Sequence, residues 1–107
     1  MTIREDALIA LAADPAIQPA FNATSTGDRS ILRSSLDRED SVLMTSIGSA
    51  NDALWTCFSR HGWMENSPIP ADMKALMPES VQRRLTEKGR RAVPVILPIL
   101  FAESSAT

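Results

Sequence analysis

The sequence holds a single cysteine, a single histidine and no tyrosine. Each scarcity closes a route. Cys57 alone cannot form an intramolecular disulfide. With His61 it has the spacing of two ligands on one helix face, but a four-ligand zinc site would still lack its other half. A small buried thiol and a half-buried imidazole are the expected state of the pair. No nucleophile–base pair, glycine-rich phosphate loop or carboxylate cluster can be argued, so neither an enzymatic activity nor a cofactor nor a bound metal is expected. Long apolar runs are missing as well. The most apolar stretch, "AVPVILPILFA" at residues 92–102, is 11 residues long with two prolines, short of the ~20 that cross a bilayer. The N-terminal "MTIREDALIALAADPAIQ" sets acidic residues beside its only arginine, and its apolar stretch is too short for a signal peptide. A soluble, cytoplasmic protein with no membrane partner is the expectation.

What the chain does contain fits one domain. Its 107 residues, 44% hydrophobic and 22% charged, carry no internal repeat or low-complexity tract, and they suffice for one core but not for two. The net charge of −2 is unevenly spread. Residues 1–59 hold four Arg against eight Asp or Glu, giving −4, and residues 60–107 hold seven Lys or Arg against five Asp or Glu, giving +2. Five of the basic residues fall in the nine positions "RRLTEKGRR", 83–91. Such asymmetry allows a locally basic face on an acidic protein.

The apolar pattern predicts a string of short elements. Ile3, Ala7, Leu8 and Leu11 fall at helical spacing until Asp14-Pro15 stops the helix. Pro15 opens a second helix with Ile17 and Phe21, and "NATSTG" (22–27) breaks it. Asp28 is the expected N-cap of a helix through Leu36, with Ile31, Leu32 and Leu36 on one face. Asp37 or Asp40 is expected to cap a short helix carrying Val42, Leu43 and Ile47, closed by Gly48. Ser49, with Asp52 three residues on, starts a helix whose Ala50, Leu54, Cys57, Phe58 and His61 share one side, and Gly62 ends it. Two short helices about a glycine turn make a helix-turn-helix pattern.

"WMENS" (63–67) and "VQRRLT" (81–86) read as strands, the second alternating Val81, Arg83 and Leu85 against Gln82 and Arg84. Proline-punctuated "PIPADMKALMPES" lies between them. Thr86 caps a last helix with Val93, Ile96, Leu97 and Leu100 at i, i+3, i+4 and i+7. Pro94 and Pro98 each remove a backbone donor, so that helix is expected to kink or restart near residue 94. The fold class is mainly α (α+β), a winged helix-turn-helix with extra N-terminal and C-terminal helices. Residues 1–27 form the N-terminal helical extension, 28–62 the helix-turn-helix, 63–86 the wing and 87–104 the C-terminal helix.

The run Leu85-Thr86-Glu87-Lys88-Gly89-Arg90 resembles the MarR-type winged-helix regulators, in which Leu-Thr-x-x-Gly-Arg ends the second wing strand and opens a C-terminal helix. "FSRHGWM" (58–64) is similar to the end of that family's recognition helix and the entry to its first wing strand. The likeness extends over residues 28–102, roughly, and implies a winged helix that binds DNA. The family carries Asp-x-Arg in the wing, its Arg entering the minor groove. Met77 and Glu79 stand at those positions here, on a long wing rich in Met and Pro.

The leading function is therefore a small DNA-binding transcriptional regulator acting on double-stranded DNA. Opposite the core stripe of the recognition helix lie Asn51, Asp52, Trp55, Thr56, Ser59 and Arg60. Asn can pair with adenine, and Thr, Ser and Arg can meet bases or phosphates. Arg83, Arg84 and Lys88, with Arg90 and Arg91, form the candidate phosphate cluster. The alternative is a winged-helix protein-interaction module without DNA binding, gripping its partner at Trp55 and the wing, since a large aromatic is a natural interface anchor. A small domain cannot easily cover Val93 to Phe101 on all sides. A homodimer is thus expected, with Val95, Ile96, Pro98, Leu100 and Phe101 at its interface.

Overall fold

A computed structural model describes residues 2–38 and 42–106. It is mostly helical, with six helices and one three-stranded antiparallel sheet among the described residues. Three helices come first: α1 (Ile3–Ala13), α2 (Ile17–Ala23) and α3 (Thr26–Ser35). The remainder is β1 (Val42–Ser46), α4 (Ala50–Arg60), β2 (Met64–Asn66), α5 (Ala71–Leu76), β3 (Ser80–Leu85) and α6 (Glu87–Ala106). Local chemistry accounts for most boundaries. Thr2 caps α1 by accepting from the Glu5 N–H, and the chain turns at Asp14-Pro15 as expected. Ser25, three residues before the expected Asp28, caps α3, its Oγ accepting from the Asp28 N–H at 3.1 Å. A serine hydroxyl reaches that N–H as well as a carboxylate does, and the cap sets α3 back by most of a turn.

The segment expected to be the first helix of the helix-turn-helix is a strand. In β1, Leu43 is buried while Val42, Met44 and Ser46 are exposed, a period of two. Five residues this rich in β-branched and apolar side chains suit a pleated surface, and β3 supplies the ladder that a lone short helix could not match. The register runs from Val42↔Arg84 through Met44↔Gln82 to Ser46↔Ser80. Gly48, expected as a helix C-terminus, has φ +80° in the turn between β1 and α4. Of the two expected caps for that helix, Asp37 lies in the turn after α3 and Asp40 lies outside the described residues. Only one helix, α4, therefore separates β1 from β2. Ser49 caps it as expected, with its Oγ accepting from the Asp52 N–H.

The strands expected at 63–67 and 81–86 are present as β2 and β3, in the sheet order β1-β3-β2. The exit from α4 is a Schellman turn: Trp63 N–H to Phe58 O at 2.9 Å, Gly62 N–H to Ser59 O at 3.0 Å, and Gly62 at φ +76°. The apolar contact that accompanies this motif is Phe58 against Trp63, ring centroids 5.6 Å apart. Thr86 locks the same corner. Its hydroxyl donates to Gly62 O at 2.6 Å and accepts from the Gly89 N–H at 3.0 Å, and its own N–H reaches Trp63 O at 3.0 Å. A Cβ at Gly89 would collide with the Trp63 carbonyl, so the first turn of α6 can lie on that backbone only without one. The Leu85-Thr86-x-x-Gly89 run is thus accounted for by packing.

One buried cluster joins α1, α2, α3, α4, the sheet and α6. Helix α6 runs as a single element through Pro94 and Pro98, so of the expected kink or restart there is no restart. Both rings stand on its exposed side, while Ala92, Val93, Ile96, Leu97 and Leu100 are buried on the other. The packing of that stripe holds the helix together across the two missing hydrogen bonds. The expected dimer interface is corrected at two of its five residues. Ile96 and Leu100 lie in the chain's own core, and Val95 and Phe101 pack against it. Phe101 meets Phe21 edge to face at 5.1 Å. Pro98 alone of the five is exposed.

Candidate interaction surface

The face of α4 turned away from the core differs from the expected one. Trp55 is 1% exposed and belongs to the core, and Asn51 is buried beside it. Neither can touch a base or a partner. The error is one of helix phase: the buried arc takes in Asn51, Leu54, Trp55, Cys57 and Phe58, whereas the expected stripe ran from Ala50 to His61. Thr56 and Arg60 are exposed, with Ser59 half-buried and facing β3.

Partner carboxylates neutralise much of the basic cluster. Arg83 projects from β3 over α4, 3.5 Å from Asp52 Oδ1. Its Nη1 also donates to Thr56 Oγ1 at 3.3 Å and to Ser59 Oγ at 3.4 Å. Asp52 uses its other oxygen to accept from the Gly48 N–H at 2.9 Å. Arg84, on the outer face of the sheet, donates to Glu65 Oε1 at 2.6 Å, and Arg91 donates to Glu87 Oε1 at 2.8 Å one turn back along α6. Lys88 is exposed, and Arg90 is half-buried. The sequence brings these residues near one another, but Arg83, Arg84 and Arg91 arrive with a carboxylate attached. Phosphate contact by Arg83 would mean breaking a half-buried pair and two hydroxyl bonds at once.

Cys57 and His61 go separate ways. The Cys57 Sγ accepts from Arg60 Nη2 at 3.1 Å within the core edge. His61 stacks on Trp63, centroids 4.8 Å apart, and its Nε2 donates to Asp14 Oδ2 at 2.9 Å. Asp14 also takes the Ala16 N–H and lies 3.6 Å from Arg60. Burial pushes the Asp14 carboxyl up, but the His61 bond, the Ala16 N–H and the Arg60 charge outweigh it, and the group sits below its ordinary value. This cluster ties the end of α1 to the end of α4.

Sequence reasoning expected a partner surface on the segment between β2 and β3 but missed the apolar face of β1. Helix α5, between β2 and β3, has no buried residue, and it holds Met73 42% and Leu76 83% exposed. On β1, Val42 is 50% and Met44 37% exposed, and Ile47 beyond the strand end is exposed too. A groove of about 560 Å³ runs between α3 and α6, lined by Arg33, Leu36, Asp37, Pro94, Leu97, Pro98 and Phe101. The Met-rich segment between β2 and β3 was visible in the sequence; the β1 face was hidden by its assignment to a helix. Among the described residues no helix is long and apolar enough to cross a membrane. No protein-family description, curated protein or solved structure matches the chain.

Proposed function

We propose that the chain is a protein-interaction module of winged-helix type, holding its partner through the helix carried on its wing. The observation behind this reading is α5. Met73 and Leu76, one turn apart on a helix with no buried residue, stand out from the hairpin. A six-residue helix has little stability of its own; here it starts from Pro70 and is closed by Lys74 N–H to Pro70 O at 2.8 Å and Met77 N–H to Met73 O at 3.0 Å. Apolar side chains at i and i+3 on a short projecting helix suit an apolar cleft on another protein. Burying Leu76 there is worth about 1.5–3 kcal/mol. The order β1-β3-β2 with a β2–β3 hairpin and the Leu85-Thr86-x-x-Gly89 corner support the winged-helix shape.

A second reading, a DNA-binding regulator, is favoured by one observation: Thr56, Ser59 and Arg83 converge beside exposed Arg60 on the side of α4 away from the core. The partnered arginines and the net charge of −2 place it behind the first.

A photo-crosslinking amino acid at position 76 separates the two. In extracts of the source cells it should yield a discrete protein adduct that Met73→Ser abolishes and that the same group at Thr2 does not give. Met73→Ser and Leu76→Ser should each leave stability within about 0.5 kcal/mol, as exposed sites do. The absence of any protein adduct overturns the interaction reading. Saturable duplex binding at low salt, weakened by Arg83→Ala and falling with a log–log salt slope near −0.9 per phosphate contact, supports the DNA reading in its place.

A further inference from the structure

The sheet has two edges, and they are unlike. The β2 edge is three residues long, with exposed Glu65 at its centre, and is polar. The β1 edge is five residues, "VLMTS", with no charge and no proline. Charges, prolines and short length are the usual means of keeping an edge strand from pairing, and β1 has none of them. On one side β1 is hydrogen-bonded to β3. Among the described residues no backbone hydrogen bond reaches it from the other side; the bonds at its end are Ile47 N–H to Glu79 O and Ser49 N–H to Ser46 O.

We infer that β1 pairs with β1 of a second copy of this chain, antiparallel about a two-fold axis through Met44. Full overlap of the strand with itself sets Met44 opposite Met44, Val42 opposite Ser46 and Leu43 opposite Thr45. Every outward residue meets an outward one and every inward residue an inward one, as the pleat requires. A two-fold contact uses the same patch on both copies, so the patch must tolerate itself. An uncharged strand does. The β2 edge does not, because self-pairing about its centre would set Glu65 against Glu65. Val42 and Met44 of both copies then form one apolar stripe across a sheet in the order β2-β3-β1-β1-β3-β2. Arg84, opposite Val42 on the neighbouring strand, is already neutralised by Glu65 and adds no repulsion. The surface is distinct from the wing helix, and the inference stands whether or not α5 holds a partner.

Sedimentation equilibrium at tens of micromolar, combined with charge swapping at Met44, tests it. The full chain should sediment as a dimer. Met44→Glu and Met44→Lys, each setting like charges opposite one another, should halve the mass while the melting temperature of the exposed-site variants shows that they still fold. Mixing the two variants should restore a dimer containing one of each, which only a contact placing the two 44 positions face to face can do. A monomeric full chain overturns the inference. So does a dimer that persists in Met44→Glu, or a mixture that stays monomeric.

Discussion

Trp55 shows how far one residue can mislead. On a helical wheel of about 100° per residue the buried positions of α4 span an arc of about 160°, wide enough to take Asn51 and Trp55 as well as the Leu54-Cys57-Phe58 stripe. A narrow stripe drawn through Ala50 and His61 lies at one side of that arc, and Trp55 falls outside it by a fraction of a turn. Polar neighbours hid the difference: Asn51 is buried although it is polar, so the pattern shows no clean boundary. With Trp55 in the core, Trp55→Ala should cost about 3–5 kcal/mol, read as a fall in urea midpoint with the m-value retained. A change below about 0.5 kcal/mol would be that of a surface site and would refute the packing described for α4. Arg83 makes the same point from the charged side. The alternation of "VQRRLT" correctly turns Arg83 inward with Val81 and Leu85, but only the fold reveals that Asp52 awaits it.

At the scale of elements, end signals were more legible than types. Ser49 as a cap, Gly62 as a terminator, Thr86 at the start of α6 and the break at Asp14-Pro15 all act as their local chemistry dictates. The segment 42–46 was illegible because Val42, Leu43 and Ile47 satisfy a short helix as well as a strand. The deciding term is pairing with β3, some forty residues away in sequence. The contact between the ends of α1 and α4 is likewise long-range, and its test is pH. The Asp14 carboxyl sits below its ordinary value because the folded state favours the charged form. Its contribution to stability is therefore present above the unfolded value of about 3.9 and is lost as pH falls through the lower folded one. Asp14→Asn removes the group. The gap in melting temperature between wild type and Asp14→Asn should close as pH falls below the unfolded value and through the lower folded one. A gap that stays open well below that range would contradict the sign of the shift.

For the whole molecule, the positive charge in 83–91 and the apolar run after it turn out to have separate roles. The charge is largely taken up by Asp52, Glu65 and Glu87 on the molecule's own surface. The apolar run is the wall against which α1 and α2 are built. Of its side chains Val93, Ile96, Leu97 and Leu100 are buried, Gln18 donates to the Leu100 carbonyl at 3.0 Å, and Phe101 closes over Phe21. The four aliphatic groups together account for about 6–12 kcal/mol of burial at about 1.5–3 each, against a net stability of about 5–15 kcal/mol for a domain. A chain ending at Ala92 should therefore lose its cooperative thermal transition and its dispersed amide spectrum altogether. If α6 instead served chiefly to join two copies, the same truncation would leave a folded monomer. A sharp melting transition in the truncated chain would show that the core described here closes without α6.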